Sequence, residues 1–251
     1  MAIAEEYPND PSEKIKSGGL MHARRVARVV TPGTLIDENF MDPFSNNYVL
    51  AVHAEGSSNT ENVIIPSSPS TVIGLAWLDL STGHFFTQTT TLSMLPSFLS
   101  RIGPKEVVLD GNLEATKDHG IFSILEEEQC LISYVDSAHF KPITEWIAVL
   151  ESPIPSGVIN QFTPEEVVAG SALLQYVETR LQGSDVKLQP PTRQSDVMGI
   201  DKNTMRALEI RTTMREDSVS GSLLQIIRRT VTKGGARLLG SWLSASSLNP
   251  L

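Results

Sequence analysis

Apolar and polar positions set the reading of the first third of the chain. Val26, Ala27, Val29 and Val30, with Arg25 and Arg28 between them, predict a basic strand over 24–31. Pro32 has no N–H for a ladder and Gly33 tolerates positive φ, so the strand is expected to stop at Thr31-Pro-Gly33. Asp37-Glu38 then offers a helix start. Residues 2–6 read as a short strand, and Pro8, Pro11, Gly18 and Gly19 break the next stretch into loop. Asn46–Val52 reads as a strand. Residues 55–71 are rich in Ser, Asn and Pro and read as a surface loop.

The pattern then becomes mixed α/β. Thr71–Asp79 contains the apolar run Val72–Leu78, which suits a buried strand. Asp79-Leu-Ser-Thr-Gly83 is a turn and His84–Thr90 a returning strand, so the pair reads as a hairpin. Leu92–Ile102 has helical spacing, with Pro96 early enough for a first turn and Gly103-Pro104 as the stop. Glu106–Asp110 and Leu131–Val135 read as strands. Ile121–Glu128 reads as a short helix whose acidic C-terminal end opposes the helix dipole. Thr163-Pro-Glu-Glu166 has capping-box spacing, and the helix it opens runs to about Leu181, ending at Gly183. Lys187–Gln194 reads as a polar linker. The remainder reads as helical: Lys202–Arg215 behind an Asp201 cap, then a helix opened by Ser220 or Ser222, interrupted at Gly234-Gly235 and resumed over Ala236–Leu243.

Charge refines this picture. The 251-residue chain has a net charge of −9, against the general run of nucleic-acid binders. The charge is uneven: +1 over residues 1–30, −14 over 31–200 and +4 over 201–251. An acidic middle between mildly basic flanks suits a spacer or protein-contact module; ordinary solvated surface explains it equally well. The lone cysteine, Cys130, leaves no intramolecular disulfide or cysteine-cluster zinc site, and its apolar neighbours read as core. No apolar run approaches a membrane span, and Met1–Glu6 has no features of a targeting peptide.

The sharpest chemical candidate is Asp79, an aspartate leaving a strand ahead of Ser-Thr-Gly. With Asp110, and with Asp136 as a third carboxylate after a strand, it offers a metal-dependent nuclease reading, which requires the carboxylates to converge. Short polar side chains also suit turns and caps, and that reading stands beside it. The five histidines have no metal spacing. Lys233-Gly-Gly235 has the residue types of a phosphate loop in the wrong order, so no nucleotide cradle is read. Arg24, Arg25 and Arg28 are candidates for DNA-backbone contact, with a solvated strand face as the alternative.

Three segments, in order, resemble the MutS family of DNA mismatch repair proteins. They are Ala2–Glu6 with Arg24-Arg-Val-Ala-Arg-Val-Val-Thr-Pro-Gly-Thr-Leu-Ile-Asp-Glu38; Ile73-Gly-Leu-Ala-Trp-Leu-Asp-Leu-Ser-Thr-Gly-His-Phe85 with Pro104–Leu109; and Thr204–Ile210 with Gly221–Leu243. The resemblance implies an α/β fold in three parts. Residues 1–45 would end a mixed α/β mismatch-binding domain, and 46–186 would be a ribonuclease-H-like connector without nuclease activity. Residues 187–200 would be a linker, and 201–251 would begin an all-α core or lever domain. The family reads a mismatch with Phe-x-Glu and hydrolyses ATP with Mg²⁺ at a P-loop. Neither motif occurs in this sequence, so the chain is expected to be an internal piece with no catalytic, cofactor or metal residue of its own. The resemblance also implies mismatched duplex DNA as partner, a dimer, and a MutL-type protein. The wording of the first and third segments is similar to fungal mitochondrial members, with the nucleus as the alternative compartment. Two other functions stay open on the residues alone: a ribonuclease-H-like nuclease using Asp79 and Asp110, and a non-catalytic protein-interaction module.

Overall fold

A computed structural model of the chain describes residues 2–7, 23–35, 45–55, 67–116, 118–136, 140–181, 187–194 and 197–245, with the backbone alone over 2–7 and 23–29. The first two strands, β1 (Ala2–Tyr7) and β2 (Ala23–Val29), pair antiparallel with an irregularity between Ile3 and Ala4. The helix start at Asp37-Glu38, the middle of the 55–71 loop and the stop at Gly183 lie outside the described residues.

The main sheet has six strands: β3 (Tyr48–Ala54), β4 (Val72–Asp79), β5 (His84–Thr91), β6 (Glu106–Asp110), β7 (Ile132–Val135) and β8 (Thr192–Arg193). Their order is β7-β6-β3-β4-β5-β8. β3, β4 and β5 form an antiparallel meander, while β6 and β7 run parallel to β3 on its other side. The expected hairpin is present, with Asp79 opposite His84. β3 and nearly all of β4 are buried because helices cover both faces, which is why their sequences are continuous apolar runs rather than alternating ones.

One face packs on α1 (Leu95–Ile102) and α2 (Gly120–Glu127), through Leu50, Leu75, Leu95, Leu99 and Ile121. The half-buried Cys130 belongs to this side, where burial and then Glu128 push its thiol up to about 11. Beyond the short α3 (Ser156–Ile159), α4 (Pro164–Leu181) covers the other face with Trp146. Gly74 permits the close approach of α4: a Cβ there would lie 2.1 Å from the Glu165 carbonyl oxygen. The capping box is formed, since Thr163 N–H donates to Glu166 at 3.0 Å and Glu166 N–H donates to Thr163 Oγ1 at 3.2 Å.

Three expectations need correction. The segment 187–194 is not a free polar linker. Leu188 is buried and bridges to Leu150, and Thr192–Arg193 adds β8 parallel to β5. Arg193 then pairs with the buried Glu166 at 3.0 Å, anchoring the edge strand to the start of α4. The helix expected over 202–215 is α5 (Lys202–Ala207) alone. Glu209 takes φ 47°, and the N–H groups of Leu223 and Leu224 bond the carbonyls of Glu209 and Ile210, so distant chain replaces helical partners. The break in the last helical stretch is not at Gly234-Gly235. α6 (Leu223–Ile227) ends at an extended Arg228, and α7 (Lys233–Ser244) starts behind Thr232, whose side chain accepts from Gly235 N–H. The β-branched run Thr230-Val-Thr232 separates them, and the glycines fall in the first turn of α7.

The acidic end of α2 finds its cation in another element. Lys202, at the start of α5, approaches Glu128 at 2.5 Å and Glu127 at 3.4 Å.

Candidate functional site: polar joints at one end of the sheet

The Thr-Pro-Gly segment stops β2 and docks on the sheet. Thr31 N–H donates to Thr34 Oγ1 at 3.0 Å, and Pro32 opens a 3₁₀ turn over Pro32–Thr34. Gly33 is needed for close approach rather than for positive φ: a Cβ there would stand 2.8 Å from Val49 Cβ and 3.0 Å from Glu106 Cβ. Its N–H donates to Glu106 Oε2 at 3.2 Å. Glu106 is fully buried at the start of β6 and also accepts from Ser133 Oγ at 2.6 Å and from the Tyr176 hydroxyl. One carboxylate thus ties the turn, two strands and α4 together. Sequence reasoning passed over Glu106; its signal is a carboxylate opening an otherwise apolar strand.

Asp79 does turn work. It accepts from Ser81 N–H at 2.9 Å, from Ser81 Oγ at 2.6 Å and from Asn47 N–H at 3.1 Å. Asn47 in turn donates to the Leu35 carbonyl at 3.3 Å. Asp110 caps the 3₁₀ turn after β6, accepting from Asn112 N–H at 2.9 Å.

The register does not bring Asp79 and Asp110 together. Asp79 is level with Tyr48 at the start of β3, whereas Leu109, just before Asp110, is level with Val52. At about 3.3 Å per residue the two aspartates lie roughly 16 Å apart along the strands, far beyond a shared metal pair. Asp136 follows β7 at the Asp110 end. Among the described residues no group of three or more His, Cys, Asp and Glu is placed to hold a metal ion. The nuclease reading therefore loses its geometric premise. Arg24, Arg25 and Arg28 lie on β2, with Arg24 and Arg25 opposite Glu6 and Glu5 and Arg28 opposite Ile3; their side chains lie outside the described structure.

Next to Asp79 the C-terminal helices meet the sheet. Arg237 on α7 donates to Ser81 Oγ at 3.3 Å, and Asn46 donates to Ser241 Oγ at 3.2 Å. Arg211 donates to the Arg101 carbonyl at 2.6 Å and to Ser244 Oγ at 2.7 Å. Burial, then Arg211, lowers the Arg101 guanidinium to about 10, and burial lowers Arg211. Tyr48, between them and Asp79, is pushed up to about 12, chiefly by burial and then by Asp79. Sequence reasoning missed this joint because Arg101 and Arg211 are 110 positions apart and no spacing relates them.

Residues 47–189, more than half of the chain, match MutS domain II, and residues 203–250 match MutS domain III. The chain belongs to the MutS family. It is similar to proteins named DNA mismatch repair protein MutS from Wolbachia pipientis wMel (32% identity, 98% of this chain, 27% of the relative). Similar matches come from Bradyrhizobium sp. strain ORS 278 (29%, 100% and 26%) and Bartonella henselae (32%, 98% and 26%). The chain spans about a quarter of the length of these curated relatives. In MutS terms, the Arg101–Arg211 and Ser81–Arg237 contacts join the stretch matching domain II to the stretch matching domain III. The Glu106 cluster joins domain II to the Thr-Pro-Gly turn before it. No helix among the described residues is long and apolar enough to cross a membrane.

Proposed function

We propose that this chain is the coupling section of a MutS-type mismatch-recognition protein: the end of the mismatch-binding domain, a ribonuclease-H-like connector, and the first lever helices. One observation carries the reading: polar bonds from Arg211 and Arg237 clamp the domain II match to the domain III match at one end of the sheet, and Asn46, just before the domain II match, adds a bond to Ser241. The antiparallel β3-β4-β5 meander flanked by parallel β6 and β7 supports the connector assignment. In this reading the chain transmits force and performs no chemistry of its own. Mismatched duplex DNA, ATP with Mg²⁺, a second MutS-type subunit and a MutL-type protein are partners of the intact protein. The compartment is taken from the resemblance to fungal mitochondrial members.

The test is genetic. Deleting the gene is expected to raise the mutation rate of a mitochondrial reporter at least several-fold and to leave a nuclear reporter unchanged. A rise confined to the nuclear reporter would move the protein to the nucleus, and no rise in either would overturn the repair function.

A further inference from the structure

Between the start of β3, the β4–β5 hairpin and α7 lies a cleft of about 470 Å³. Arg101, Arg211, Arg237 and His84 line it, and no Asp or Glu is among its described lining residues, in a chain whose net charge is −9. Arg101 is only 7% exposed. Among the described residues, every hydrogen-bond acceptor of the three guanidiniums is neutral. Arg101 donates to Gln88 Oε1 at 2.7 Å, Arg211 to the Arg101 carbonyl and Ser244 Oγ, and Arg237 to Ser81 Oγ. Within the same described set, none of the three forms an ion pair with a carboxylate.

Asp79 lies one residue beyond this contact, with its oxygens held by Ser81 and Asn47. Among the described residues, three guanidiniums and one carboxylate leave two positive charges. Arg101 is buried over the Phe98 ring at 4.6 Å, and Arg211 and Arg237 are half-buried. Partly buried charge with no counter-ion among the described residues is costly, so the cleft has an electrostatic demand for an anion. A singly charged carboxylate answers half of that demand; a phosphate monoester dianion answers all of it, and guanidinium forks match its oxygens.

The remaining wall selects the body that carries the anion. Phe86, half-buried, faces the cleft and stacks at 5.6 Å and 29° on Trp77, which is almost fully buried behind it. Trp242, 63% exposed, stands at its mouth. The volume falls within the usual range for small-ligand sites, and the depth of Arg101 puts it out of reach of a duplex backbone. We propose that this cleft binds a phosphate monoester on a flat ring system, of the size of a nucleoside monophosphate. The proposal goes beyond the coupling role, with which it shares Arg211 and Arg237, and its failure would leave that role standing.

The chain carries its own reporters. Trp77 and Trp242 line the cleft, while Trp146 sits in the core on the opposite face of the sheet and supplies a constant background. The 251-residue chain is titrated with adenosine 5′-monophosphate, adenosine and inorganic phosphate at constant ionic strength, with tryptophan fluorescence as the signal. The expected result is a saturable change with the monophosphate and binding weaker by about ten-fold or more for adenosine and for inorganic phosphate. Arg237→Gln, a half-buried site that leaves the core intact, should weaken the monophosphate by about ten-fold. Arg229→Gln, on the exposed surface, should not. Absence of saturation with the monophosphate up to about 10 mM, well above useful affinities, would overturn the proposal. So would equal binding of adenosine or inorganic phosphate, or an equal loss in Arg229→Gln.

Discussion

Glu106 and Gly33 meet at a contact that admits almost no substitution. The missing Cβ of Gly33 would fall within 3.0 Å of both Val49 and Glu106 side chains. Gly33→Ala is therefore expected to displace the turn and to destabilise the chain by about 1–3 kcal/mol, as overpacking does. Urea unfolding would measure it, and a loss below about 0.5 kcal/mol, the level of a neutral surface change, would mean that the turn gives way freely. His53 supplies a pH test. Burial holds its imidazole down to about 4, opposed by Glu165. Below pH 6.5 the unfolded chain takes up a proton that the folded chain refuses, so stability falls as the pH drops and the loss is complete near pH 4. Over that window the effect is on the order of 3 kcal/mol. His53→Gln should remove this part of the slope. Parallel stability curves for the two proteins between about pH 7 and pH 4 would show that the imidazole is not held neutral.

At the scale of elements, strength is unevenly distributed. β4 and β5 are paired along their whole lengths, β4 is almost wholly buried, and β5 buries Phe85, Thr87 and Thr90. α6 is a five-residue helix with no buried residue, and Ile226 and Trp242 are each 63% exposed. Each large apolar side chain left in water forgoes roughly 1.5–3 kcal/mol of burial. Amides in 223–227 and 233–244 are expected to exchange through openings of much lower free energy than those in 72–79 and 84–91. Equal protection in a monomer, read by hydrogen exchange, would mean that the C-terminal helices have a core of their own.

For the molecule as a whole, charge sets the limit on DNA binding. Residues 31–200 carry −14, and the basic candidates on β2 are Arg24, Arg25 and Arg28. Binding of duplex DNA by this chain alone should be weak, sequence-independent and salt-sensitive. With about three phosphates neutralised, the log–log salt slope should not exceed roughly 3 in magnitude. Competition titration against a mismatched duplex should give a preference below about ten-fold, the effect of one modest base contact. A larger ratio would reveal a mismatch-reading element within these residues.

The strands at Val72–Asp79, His84–Thr91 and Glu106–Asp110, the hairpin, the Thr163 capping box and the Asp201 cap were all legible in the sequence. They rest on interactions within a few residues, which spacing and side-chain chemistry encode directly. The ordered motifs made the family legible for the same reason. Tertiary structure decided the rest. Two N–H groups on α6 found carbonyls at Glu209 and Ile210 and so cut the helix expected over 202–215. A parallel partner on β5 drew Thr192–Arg193 out of a linker and into the sheet. The register of β3 separated Asp79 from Asp110, and the fold brought together Arg101, Arg211 and Arg237. Such contacts depend on which distant segments become neighbours, and local sequence periodicity does not carry that information.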